Sequence, residues 1–172
     1  PLKIDYRCFE IPDRFVIGNG LDGVFTMLGR AFIRPDDEVV CGELTFSVYA
    51  EMAEIMGGKA VRVPMTEDMG LDVDGFIRAV TDKTRMVVFC NPNNPTGTAV
   101  GAGEIRKMLD AVPEGVLFVL DEAYIEFADE SVADGMTLLD EYPNLMVCRT
   151  FSKVYGLAGL RVGWIAGDAE LM

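Results

Sequence analysis

Three short runs, RMVVFC (85–90), VLFVL (116–120) and LMVC (145–148), are almost wholly apolar. A strand wetted on one face alternates apolar and polar side chains, so a strand apolar at successive positions must be covered on both faces. Strands of that kind lie inside a mostly parallel sheet flanked by helices. The intervening sequence supplies the helices. After a strand at FVI (15–17) and a turn at Gly18-Asn19-Gly20, Leu21, Val24, Phe25, Leu28 and Phe32 recur at helical spacing. Phe46, Tyr49, Met52, Ala53 and Met56 mark a second helix, closed by Gly57-Gly58. A third is predicted over 72–80, with Asp72 or Asp74 as its cap, and a fourth over 104–112, with Ile105, Met108, Leu109 and Val112 on one face. EVVC (38–41), KAVRV (59–63) and VGWIA (162–166) read as further strands, and the final GDAELM as the first turn of another helix. The expected architecture is a single α/β domain over residues 1–172, with a mostly parallel sheet between helices.

Composition narrows the chemistry. The formal charge is −13 with no cluster of Lys and Arg, which argues against a nucleic-acid partner. No apolar run is long enough to span a bilayer, and PLKIDYRCFE at the start has no apolar signal core, so the expected setting is the cytoplasm, away from any membrane. The chain has no histidine, so it has no Ser-His or Cys-His catalysis of its own. Cys8, Cys41, Cys90 and Cys148 form no C-x-x-C pair, and the last three sit in or beside apolar runs, as reduced core thiols do; no metal site is expected. Chemistry is left to Lys, Tyr, carboxylates or a bound cofactor.

Ligands of parallel sheets sit at the carboxyl ends of the strands. The unusual polar segments fall there: Gly18–Gly20, Asn91–Gly97, Asp121–Tyr124 and Thr150–Lys153. Gly18-Asn19-Gly20-Leu21-Asp22-Gly23 matches G-x-G-x-x-G between a strand and a helix, and Glu43 stands near the place of a dinucleotide-binding acid; a bare glycine-rich turn reads the same way. Either way, a helix start offers free N–H groups to a phosphate. VLFVLDEAY resembles the acidic strand of a nucleotide hydrolase, but the partner phosphate loop G-x-x-x-x-G-K-[ST] is absent. Asn91-Pro92-Asn93-Asn94-Pro95-Thr96-Gly97 is denser in turn residues than a plain connection needs. Thr150-Phe151-Ser152-Lys153, with Arg161 eight residues later, suggests an anion site around an amine.

In this order and at these intervals, from Phe15 to Gly167, the segments NPNNPTGT, DEAY and FSK-x7-R-x-G resemble the fold-type I, aspartate-aminotransferase-like pyridoxal 5'-phosphate (PLP) enzymes. DEAYIEF and RTFSKVYGLAGLRVGW look most like the histidinol-phosphate aminotransferases within it. The resemblance implies the large cofactor domain of that fold, with the N-terminal arm and C-terminal small domain outside this sequence, and PLP as cofactor. It implies that Lys153 is the catalytic lysine, which forms the Schiff base and moves the substrate proton. Asp121 would pair with the pyridinium nitrogen. Tyr124 and Asn94 would donate to the ring oxygen. Arg161, Thr150, Ser152 and the backbone N–H groups of Leu21 and Asp22 would hold the phosphate, and Phe46 would stack on the ring. It further implies transfer of an amino group from a small amino compound, histidinol phosphate, to a 2-oxo acid, 2-oxoglutarate, in a homodimer. A decarboxylase or lyase of the same fold, and a folded piece without turnover, are the alternative readings. The chain departs from the family after the glycine-rich turn, where Leu21 and Gly23 replace a small polar residue and an acid.

Overall fold

The structure, a computed structural model, describes residues 12–172. Cys8 and the N-terminal segment lie outside them. The order of elements is β1 (Phe15–Asn19), α1 (Gly20–Phe32), β2 (Glu38–Gly42), α2 (Val48–Ile55), β3 (Lys59–Val63), α3 (Val73–Ala79), β4 (Thr84–Cys90), α4 (Ala102–Ala111), β5 (Leu117–Asp121), β6 (Leu145–Thr150) and β7 (Val162–Ala166). The strands form one sheet in the order β1-β7-β6-β5-β4-β2-β3. Pairings from β6 to β3 are parallel, and β7 runs antiparallel to both β6 and β1. The expected mostly parallel sheet is therefore present, with one reversed strand near its edge.

The apolar runs behave as their composition requires. β2 and β5 are buried throughout, and β4 has one exposed residue, Arg85. One layer of core, with Val24, Phe25, Tyr49, Met52, Val88 and Val119, lies under α1 and α2. The other, with Phe76, Phe89, Ile105, Met108, Phe118 and Val147, lies under α3 and α4. Cys41, Cys90 and Cys148 are buried free thiols. Asp72 caps α3, accepting the Gly75 N–H at 2.9 Å. Gly57, at φ +82°, takes the left-handed conformation that ends α2.

Three expectations change. β1 continues through Asn19 and α1 starts at Gly20, so the predicted turn is reduced to Gly20 itself, at φ +66°. α2 begins at Val48, which leaves Phe46 on the loop before it. GDAELM forms a turn, with the Glu170 N–H bonded to the Asp168 carboxylate and the Leu171 N–H to the Asp168 carbonyl, and no helix. No helix among the described residues is long and apolar enough to cross a membrane.

Candidate active site

β1, β4, β5 and β6 all end on one side of the sheet, and β7 begins there, with Thr150 opposite Gly163 and Asn19 opposite Val162. A cavity of about 180 Å³ opens on that side. Leu21, Asp22, Phe46, Asn94, Asp121, Tyr124, Thr150, Ser152, Lys153 and Arg161 all line it. Residues drawn from six separate stretches of chain thus meet in one place.

Asp121 ends β5 and is 2 % exposed. Its Oδ1 accepts the Ala123 N–H at 2.9 Å, and its Oδ2 accepts the Tyr49 hydroxyl at 2.6 Å. Burial pushes the carboxyl up to about 6, against the pull of those two donors and of the Lys153 charge. Tyr49 was read from sequence only as part of an apolar helix face. A fully buried tyrosine needs a partner for its hydroxyl, and that requirement is the signal that could have marked it. Burial, and then the Asp121 charge, hold the phenol well above its usual range, so it stays a donor. Cys90 also lines the cavity; burial pushes its thiol up to about 12, so it is no nucleophile.

The Asn-Pro loop divides its labour. Asn91 and Asn93 are buried and tie the loop down: Asn91 pairs with the Val100 backbone, and Asn93 donates to the Leu44 carbonyl at 2.9 Å while accepting from the Thr45 hydroxyl at 2.8 Å. These bonds fix the loop and leave Asn94 to face the cavity with Tyr124. Lys153 is exposed, and its Nζ lies 5.0 Å from the centre of the Tyr124 ring. Phe46 meets Tyr49 edge-on, with ring centres 5.7 Å apart.

At the other end, α1 presents its N-terminus. The Gly20 N–H is taken by the Arg161 carbonyl at 2.7 Å, and the next amides belong to the unpaired first turn. Arg161 has a left-handed backbone, φ 53°, and its Nη2 bonds Asp22 at 2.9 Å. Gly20 itself holds φ +66°, the left-handed region that favours glycine, and a Cβ there would stand 2.5 Å from that Nη2 and displace the guanidinium. The Thr150 hydroxyl lies 3.0 Å from that of Ser152 and accepts the Ser152 N–H at 3.1 Å. A guanidinium fork, two hydroxyls and a helix start make a seat for a dianion.

The dinucleotide reading fails here. Among the described residues β1 is an edge strand bonded only to antiparallel β7, so G-x-G-x-x-G does not open a central parallel β-α-β unit, and Glu43 is exposed. What remains is an α/β domain with a buried carboxylate, an amine and a dianion seat in one cleft. These residues fit PLP: a buried carboxylate at the end of β5 suits a protonated ring nitrogen, and the helix start at Gly20 beside the Arg161 guanidinium suits the phosphate.

Comparison with known proteins gives the family. The model of "Aminotransferase class I and II" matches residues 6–172. Among curated relatives, histidinol-phosphate aminotransferase 2 of Pasteurella multocida (strain Pm70) is 42% identical over 161 residues, covering 93% of this chain and 44% of its own length. An aromatic amino acid aminotransferase of Streptomyces coelicolor (strain ATCC BAA-471 / A3(2) / M145) is 47% identical over 163 residues, covering 90% and 45%. The crystal structure of histidinol-phosphate aminotransferase from Sinorhizobium meliloti in complex with pyridoxal-5'-phosphate superposes with a TM-score of 0.87 at 33% identity, over 93% of this chain and 44% of that one. The chain belongs to the class I and II aminotransferase family, and spans less than half the length of these relatives.

Proposed function

We propose that this chain is the cofactor-binding part of a PLP-dependent aminotransferase that moves an amino group from an amino compound to a 2-oxo acid. The observation that carries the reading is the meeting of Asp121, Lys153 and Arg161 in one cavity. When bound, PLP supplies an aldehyde carbon for an amine and a protonated ring that accepts electrons as a substrate Cα–H proton departs. Lys153 would hold that aldehyde through its amine, and its Nζ would carry the Cα proton. Asp121, aimed by Tyr49 and the Ala123 N–H, keeps the proton on the ring nitrogen. Asn94 and Tyr124 donate to the ring oxygen, and Phe46 shields the ring face. Arg161, Thr150, Ser152 and the amides of Leu21 and Asp22 bind the phosphate.

Relatives named for histidinol phosphate and for aromatic amino acids both support a donor with a planar ring; histidinol phosphate with 2-oxoglutarate is the pair we favour. The working unit is a homodimer, which sedimentation of the cofactor-loaded chain would test. The deciding experiment mixes the chain with PLP, reduces it with borohydride and maps the adduct by peptide mass. One adduct at Lys153, lost in a folded Lys153→Ala, is the expected result. Scattered labelling or none refutes the reading for this chain.

A further inference from the structure

Behind the cavity, on the other face of the sheet, lies an ion pair that the chemistry above does not use. β5 and β6 pair in register as far as Asp121↔Cys148, and the Glu122 N–H continues the ladder to the Cys148 carbonyl at 2.9 Å. Consecutive side chains on a strand point to opposite faces. While Asp121 and Thr150 face the cavity, Glu122 and Arg149 therefore face away from it. Glu122 is 1 % exposed. Its Oε2 accepts Arg149 Nε at 2.9 Å and Nη2 at 2.6 Å, and its Oε1 accepts the Gly135 N–H at 2.6 Å. Arg149 also reaches Asp134, and its guanidinium carbon lies 5.9 Å from the centre of the Trp164 ring on β7. One arginine thus joins the ends of β5 and β6, the middle of β7 and the 134–135 turn. There is little slack: a Cβ on Gly135 would stand 2.9 Å from Glu122 Oε1.

Buried ion pairs are a poor source of stability, since well-packed apolar residues serve as well, but they hold one geometry and tolerate few others. The residues whose spacing this pair governs are the ones that matter in front: Asp121 precedes Glu122, and Thr150, which begins the turn to Lys153, follows Arg149. We propose that Glu122 and Arg149 are positioning residues, a bolt through the back of the sheet that sets the distance between Asp121 and the Thr150–Lys153 turn. The cofactor consequence rests on the PLP reading; the geometric claim does not.

The test uses the double variant E122Q/R149M, which removes both charged partners of the bolt, and R149K, which keeps the arginine's charge but loses the fork. The groups facing Asp121, namely Tyr49, Lys153, Cys90 and Cys148, are untouched. In the cofactor-free chain, carbon-13 NMR titration of Asp121 should give a midpoint near 6 in the wild type. It should fall toward the ordinary carboxylate range in the double variant, as water reaches the loosened strand ends, with R149K between. The dissociation constant for PLP should rise about tenfold in the double variant. An Asp121 midpoint that stays put in a folded variant whose Tm alone is lower overturns the proposal, and R149K decides in the same way should the double variant fail to fold. A moved midpoint with an unchanged dissociation constant overturns the link to the cofactor. A wild-type chain that does not bind PLP refutes the cofactor reading instead, and the NMR midpoint still decides the geometry.

Discussion

Asp121 is a carboxylate that the fold has to hold against its own burial. Its pKa, about 6 in the folded chain, stands above the ordinary aspartate value of about 4. Between those two values the folded chain binds the proton more than the unfolded chain does, so stability falls as pH rises through that window and levels off above it. Replacing Asp121 with Asn removes the effect. The Tm of cofactor-free Asp121→Asn should gain on the wild type from pH 4 to pH 6.5, by the equivalent of roughly 2–3 kcal/mol; a gap that does not change with pH would refute this. Tyr49 works the other way, since its hydroxyl favours the ionised acid. Tyr49→Phe should raise the Asp121 midpoint further and cost about 1–3 kcal/mol in urea unfolding at pH 7, since Oδ2 loses its donor while Oδ1 keeps the Ala123 N–H. Asp121 was legible in the sequence because an acid directly after five apolar residues is out of place unless it is used. Tyr49 was not legible, because its partner is distant in the chain and its spacing alone fits an ordinary helix stripe.

The elements were legible wherever burial on both faces or helical spacing left one reading, as in β4, β5, β6 and α4. Their ends were less so. α1 begins at Gly20 because β7 crowds it: a Cβ on Gly163 would stand 2.7 Å from the Gly20 carbonyl carbon and 2.8 Å from the Leu21 nitrogen. That contact joins a strand to a helix start across most of the chain, so no local pattern announces it. Gly163→Ala must push β7 off the helix start. The expected cost is about 1–3 kcal/mol in Tm-derived stability, with weakened sulfate or phosphate binding measured by calorimetry; normal anion binding would show that the seat lies elsewhere. At α3, loss of the Asp72 cap is a contained change. Asp72→Ala should lower stability by about 1 kcal/mol in urea unfolding and leave PLP binding as it was.

At the scale of the molecule, fifteen Lys and Arg face twenty-eight Asp and Glu, a net −13. Self-repulsion of that size opposes compaction and is screened by salt, so Tm should rise between 20 and 300 mM sodium chloride, most steeply at the low end; a flat curve would mean that the acids are spread too thinly to matter. Strand–helix alternation in the sequence predicted a mostly parallel sheet, and six of its seven strands keep one sense. The place of β7 was hidden, because apolar runs record burial and carry no label for neighbour or direction. Its place has a consequence for how the chain is made. β1 and α1 leave the ribosome well before β7, yet among the described residues β1 pairs only with β7, and the Gly20 N–H waits for the Arg161 carbonyl. Domains are synthesised from the N-terminus at about 5–20 residues per second, so the acid at the end of β5 is in place seconds before the phosphate seat can close. The first helix of the site is completed by its last strand, and a nascent chain stalled short of Val162 holds half a cofactor pocket.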